Sequence, residues 1–297
     1  GVVGLNGSGK STLLRIMEGV EKPDSGTVTF LKKYKISYCP QKMDFEAGRS
    51  VYETVRSYMN DETEVFQIKS ILNKLGIINH EEKIESLSGG QQKRVALAIA
   101  LIQKADLYLL DEPTNHLDQE MIVWLERFLD RMNKAVVLVT HDRYFLSRIT
   151  NHIVDVENAH LYKYDGNYAD YLEQREVRYQ QALMAEHKRQ RFLATEMECI
   201  RAGAPARSTK QKGRIQRFEA IAAQEAMKEK DTLELKSASS RLGGNTIEMI
   251  GISKAFGDKV LFKDFSYNLL RSDRIGMIGP NGCGKSTFLK LLMHQME

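Results

Sequence analysis

Gly4, Gly9, Lys10 and Ser11 stand in the spacing Gly-x4-Gly-Lys-Ser within GLNGSGKST at 4–12, and the same nine-residue plan returns as GPNGCGKST at 279–287. Glycines at these intervals let backbone N–H groups curl around phosphate oxygens at the positive end of the helix that follows. Lys10 can then reach the β- and γ-phosphates of a nucleotide, and the Ser11 hydroxyl can ligate Mg²⁺. The first cradle comprises Gly4, Asn6, Gly7, Gly9, Lys10, Ser11 and Thr12; the second, with Lys285 and Ser286 in the same roles, comprises Gly279, Asn281, Gly282, Gly284, Lys285, Ser286 and Thr287. One Gly-rich strand-to-helix turn can bind nothing at all; two in register argue against that bland reading.

Two further stretches could act on the same phosphates. In LYLLDEPTNHLD at 107–118, four apolar residues run into two acids. A buried strand ending at Asp111 sets a carboxylate where it can hold Mg²⁺ or its water. Glu112 follows at the carboxyl end of the sheet, the usual ligand side, where it can orient or deprotonate a water. In LSGGQQKR at 87–94, Ser88 with Gln91 three residues later forms a capping-box pattern ahead of an apolar helix at 95–102. The cap accounts for Ser88 and Gln91 but not for Gly89 and Gly90, which weaken a helix start unless something must approach the backbone closely, as a phosphate would. Gln41, after the strand-like 36–39 and Pro40, and His141, after 135–140, complete the set at strand ends. Either alone is more often a surface or capping residue.

The elements that must hold these residues are legible in outline. Residues 2–3 read as the end of a buried strand, with a helix from Lys10. Apolar, β-branched runs at 27–30, 107–110 and 136–139 read as strands separated by helical or turn-rich sequence, and 152–156 with 160–164 reads as a hairpin. The alternation predicts an α/β domain with a largely parallel sheet. From Tyr168 the texture becomes Gln, Glu, Arg, Lys and Ala. Leu172, Tyr179, Leu183, Leu193, Met197 and Ile200 fall near a heptad seam interrupted at Glu186 and Gln190. A second helical run at 212–233 carries Ile215, Phe218 and Ala222 on one side. AGAPARS at 202–208 supplies the turn between them, and SASSRLGG at 237–244 reads as a flexible joint. Strand-like sequence resumes at 246–252.

Taken in order, the phosphate loop, the glutamine after a strand, LSGGQ, the apolar strand with Asp-Glu and the late histidine resemble an ATP-binding cassette ATPase. EPTNHLD and THDRYFL at 140–146 narrow the resemblance to the ABC-F proteins, soluble paired cassettes that act on the ribosome; CIRAGAPARSTKQKGRIQRFE most resembles the Uup-like branch. The resemblance implies a P-loop NTPase cassette over 1–167, a helical-hairpin linker over 168–244 and the first part of a second cassette over 245–297. It implies ATP and Mg²⁺ as ligands, metal contacts from Ser11, Gln41, Asp111 and Ser286, and catalytic roles for Glu112, His141 and Gln41. Ser88, Gly89, Gly90 and Gln91 would bind the γ-phosphate of ATP held by the opposite cassette. Asp118 would sit at the cassette interface, and Phe256 would stack on adenine in the second cassette. Only about 45 residues separate Gln41 from Leu87, leaving little room for an arm insertion that some members carry. The first residue is Gly rather than Met and follows no signal peptide, so the chain reads as cut from a longer parent, with parts of two composite sites and neither complete. Such a fragment is expected to hydrolyse ATP slowly or not at all as a monomer.

Arg201, Arg207, Lys210, Lys212, Arg214 and Arg217 lie in a stretch free of acids. A charge run is usually a solvated helix face. At the turn of a projecting hairpin, however, it presents cations to RNA phosphates, each contact adding salt-dependent affinity. Ribosomal RNA and tRNA are the expected partners, with DNA as an alternative. The 297 residues, 42% hydrophobic and 28% charged with net charge +4, are of ordinary globular composition. Three unspaced cysteines suit a reducing cytoplasm. No apolar run nears the roughly 18 residues of a membrane span, which weighs against the motor subunit of a membrane transporter. A DNA-maintenance ATPase would carry its hairpin inside one cassette, whereas this one follows His141. Branched-DNA binding of the Uup-like kind stays open on charge alone.

Overall fold

The computed structural model describes residues 1–30, 33–59, 62–201, 209–223, 245–257, 259–270, 273–293 and 295. Strands β1 (Val2–Gly4), β2 (Ile36–Cys39), β3 (Leu107–Asp111), β4 (Ala135–Val139), β5 (His152–Glu157) and β6 (His160–Asp165) form one sheet in the order β2-β3-β4-β1-β5-β6. All pairings are parallel except the β5–β6 hairpin. The parallel strands are apolar at consecutive positions because both faces are covered. Leu109 and Val139 join Val2, Val156 and Leu14 on one side, whereas Leu110 and Leu138 face the larger core on the other.

Leu14 belongs to α1 (Lys10–Glu18), which follows the first phosphate loop. The opposite face is covered by α4 (Gly89–Ile102), whose residues from Val95 to Ile102 are all buried. A helix apolar all round must be enclosed on all sides. Around it pack α2 (Val51–Ser57), α3 (Glu62–Lys74), α5 (Gln119–Arg131) and α6 (Arg143–Ile149). The expected strand at 27–30 is not one. Those residues have no ladder partner in the sheet, Val28 and Phe30 are exposed, and the Phe30 ring lies over Gly19 instead. An apolar β-branched run becomes a strand only where an edge is free to pair with it.

After the sheet, α7 (Tyr168–Arg201) runs as one helix and α8 (Thr209–Ala222) packs back on it. Its inward stripe keeps Tyr179, Leu183 and Leu193 of the predicted seam and adds Tyr171, Arg175, Arg178, Glu186 and Arg189, while Leu172 and Met197 are exposed. At the predicted interruption Glu186 pairs with Arg189 at 2.9 Å, and Arg189 also donates to the Ile221 carbonyl on α8. An ion pair thus occupies a position where the sequence breaks the apolar seam.

The first turns of α7 are fixed to the hairpin by a charged network. Asp155, 2% exposed, accepts from Tyr171 Oη at 3.1 Å and pairs with Arg175 Nε at 3.2 Å. Glu157 pairs with Arg175 and Arg178, and the Arg178 guanidinium lies 3.6 Å over the Tyr162 ring. Residues 202–208 and 224–244, hence the predicted turn, joint and Arg207, lie outside the described residues. So do the side chains of Arg201, Lys210, Lys212 and Arg214; Arg217 is exposed. The chain resumes in β7 (Asn245–Phe256) and β8 (Lys259–Leu270), an antiparallel pair, and α9 (Lys285–Leu292) follows the second phosphate loop.

Candidate functional site

The two phosphate loops share one backbone design. Gly9 at φ +96° and Gly284 at φ +105° each N-cap the following helix in the left-handed region, where a side chain would be strained. Lys10 Nζ donates to the carbonyls of Gly4 at 3.0 Å and Leu5 at 2.8 Å. Lys285 Nζ donates to the corresponding carbonyls of Gly279 and Pro280. Both ammonium groups are therefore held over their own loops.

At the carboxyl end of the sheet β3 delivers Asp111 and Glu112, both nearly buried. Glu112 takes φ +53°, uncommon for a residue with a side chain, and its N–H donates to the Val139 carbonyl at 2.8 Å. His141 Nε2 lies 3.5 Å from Glu112 Oε1. Burial pushes the Glu112 carboxyl above the usual glutamate range; His141 pulls it back, Asp111 raises it, and Lys10 lowers it a little. The other oxygen of Glu112, and Oδ2 of Asp111, are buried without a hydrogen-bond partner. A buried carboxylate oxygen without a donor is costly unless a cation or water completes it. Asp111 and the half-buried Ser11 hydroxyl are oxygen donors of the kind that would hold a divalent cation.

Two cavities adjoin the second phosphate loop. One cavity of about 340 Å³ is lined by Phe256, Leu261, Asn281, Gly282, Gly284 and Lys285, with Ser286 and Thr287. Phe256 thus lines the same cavity as Lys285 of the second phosphate loop. A neighbouring cavity of about 590 Å³ has Asn281 and Gly282 on one wall and Ser88, Gly90, Gln91 and Asp118 on the other. Asn281 Nδ2 donates to the His116 carbonyl at 3.0 Å. The Gly-Gly helix start and the second phosphate loop, 190 residues apart in the chain, thus face each other. Ser88 and Gln91 form the expected capping box. Gly90 has a further constraint: a Cβ there would meet the His116 ring at 3.2 Å. Asp118 caps α5 by accepting from the Met121 N–H.

Gln41 is exposed, at the end of β2. Three positioning groups had no place in the motif reading. Thr114 and Thr140 share a hydrogen bond at 2.8 Å that pins the Glu112 turn to the His141 turn. Lys93 donates to the Pro40 carbonyl and, at 2.7 Å, to the Asp111 carbonyl. The threonines sit at fixed offsets in EPTNH and THD, a signal open to notice; Lys93 looks like any helix lysine until its partners are seen.

Two family profiles, both described as ABC transporter, match the chain, one over 1–115 and 262–297 and the other over 154–236. The uncharacterized ABC transporter ATP-binding protein YfmR of Bacillus subtilis is 40% identical over 98% of this chain and 53% of its own length. The energy-dependent translational throttle protein EttA is 36% identical in Haemophilus influenzae and 34% in Escherichia coli K12, each over 100% of this chain and 61% of the relative. The chain thus spans between half and two thirds of the curated relatives it matches. A solved structure titled RNase-L Inhibitor superposes with a TM-score of 0.46 at 31% identity, over 52% of this chain and 31% of that one. The profiles take in both phosphate loops, β3 and the long α7, and on that footing the chain belongs to the ABC transporter family, whose ATP-binding cassettes hydrolyse ATP.

Proposed function

We propose that the protein is an ABC-F-type ATPase of the Uup-like branch, acting in the cytoplasm on the ribosome, with its basic helical linker against ribosomal RNA or tRNA. The observation that carries the reading is the seating of Asn281 on the His116 carbonyl, which turns the second phosphate loop toward Ser88, Gly90 and Gln91. A triphosphate held by Lys285 would meet the helix start at Ser88, so nucleotide would join two cassette halves. In the first site Lys10 would bind the β- and γ-phosphates and Glu112 would accept the proton of the attacking water while His141 orients it. Bound Mg²⁺, held through Ser11, Asp111 and Gln41, and through Ser286 in the second site, would neutralise charge on the phosphates. EttA, a translational throttle by name, supports the ribosomal target. Among the described residues no helix is long and apolar enough to cross a membrane, and Arg217 is exposed on α8.

The test uses Glu112→Gln protein with ATP and Mg²⁺, offered ribosomes and a four-way DNA junction in competition. Cosedimentation with ribosomes, weakening steeply with salt, is the expected result. Preference for the junction assigns the protein to branched-DNA binding instead. Capture of a membrane protein and of neither nucleic acid assigns it to a transporter.

A further inference from the structure

One turn of α4 touches both nucleotide sites. Ser88, Gly90 and Gln91 line the cavity shared with Asn281 and Gly282. Lys93 lies two residues past Gln91, about 200° around the helix, and points the other way. It is half-buried, and its ammonium donates to the carbonyls of Pro40 and Asp111. Those carbonyls immediately precede Gln41 and Glu112, at the ends of β2 and β3 beside the first phosphate loop. Its neighbours brace the helix against other parts of the fold: Gln92 donates to the carbonyls of Ile84 and Leu87, and Arg94 to Leu75. Charge-assisted hydrogen bonds are short and roughly twice as strong as neutral ones, and a second carbonyl on the same ammonium fixes its position further. The Lys93 side chain is thus a strut between the backbone that presents Gln41 and Glu112 at one site and the helix start that faces the other.

We propose that Lys93 is a positioning residue that couples the two nucleotide sites. It transmits movement at the ends of β2 and β3, when nucleotide occupies the first phosphate loop, to Ser88, Gly90 and Gln91. The proposal rests on the nucleotide-binding reading above.

The test is hydrogen exchange on the full chain in a Lys285→Met background, which stops nucleotide from reaching the helix start directly through the second loop. The probe is a non-hydrolysable ATP analogue with Mg²⁺. Protection is expected at residues 5–12 and, through the strut, at 88–93. Lys93→Met is expected to keep the first protection and to reduce the second at least about fivefold, the lower end of ordinary site–site coupling. Lys93→Arg should restore it. If Lys93→Met fails to fold, Lys93→Gln, with one amide to donate, should give an intermediate loss. Protection at 88–93 that survives Lys93→Met, or that never accompanies protection at 5–12, overturns the proposal. Absence of protection at 5–12 overturns the nucleotide reading itself, and the coupling with it.

Discussion

His141 Nε2 stands 3.5 Å from Glu112 Oε1, a 64% exposed ring set over a carboxylate side chain that is 9% exposed. The Thr114–Thr140 hydrogen bond ties together the two turns that carry them. Glu112 is therefore withdrawn from bulk water and approachable on the His141 side. A general base benefits from such an arrangement, because its proton affinity rises toward the working pH.

In a protein with both cassettes complete, Glu112→Gln should lower ATP turnover by about 10²–10⁴-fold, the usual worth of a positioned acid–base group, while nucleotide binding persists. Phosphate release and equilibrium binding, measured on the same preparation, separate the two. Normal turnover in the variant removes Glu112 from the role of base.

The same burial has a stability consequence. Glu112 carries a raised pKa in the folded state, so the folded protein binds the proton more tightly than the unfolded chain does. Its contribution favours folding below the unfolded pKa and is lost as pH rises through the folded one. Glu112→Gln, which cannot ionise, should melt higher than the parent at neutral pH. That advantage should shrink as pH falls below the ordinary glutamate range. Melting curves from acid to neutral pH check this; a difference independent of pH contradicts it.

Phe256 lines the cavity with Lys285 and Ser286. If an adenine stacks on it, Phe256→Ala should cost about 1–3 kcal/mol of nucleotide affinity, the range found for aromatic–base stacks. Nucleotide binding in a Lys10→Met background isolates the second loop. Phe256→Trp should retain most of the affinity, and equal binding by Phe256→Ala would exclude stacking.

At the root of α7, Asp155→Ala would leave Arg175 and Tyr171 without their buried acceptor. Removing one partner of a buried pair typically costs about 3–5 kcal/mol. Urea unfolding should register a loss of that order for Asp155→Ala, and a smaller one, about 1 kcal/mol, for Tyr171→Phe. Arg175 is about one-third exposed, so Arg175→Met should cost less than Asp155→Ala. Equal stability of Asp155→Ala and the parent would show that the network does not hold the helix.

The parallel sheet, α1, the β5–β6 hairpin and the capping box at Ser88 were legible in the sequence, because each follows from local chemistry. Consecutive apolar runs, a left-handed glycine before a helix and a Ser–Gln pair three residues apart act within a few residues of themselves. The strand at 27–30 was misread because pairing depends on an edge that another segment must leave open. The break in the α7 seam at Glu186 was legible, but not what fills it, because Arg189 and the Ile221 carbonyl close across two helices. Residue types alone named Lys10, Asp111, Glu112, His141 and Lys285 as a set that could handle phosphate. Tertiary structure alone decided that Asn281 meets the His116 carbonyl and that Lys93 reaches the Pro40 and Asp111 carbonyls. These are hydrogen bonds to backbone carbonyls, which every residue carries, so no side-chain pattern marks which carbonyl a distant donor will find. Only the folded chain brings donor and acceptor together.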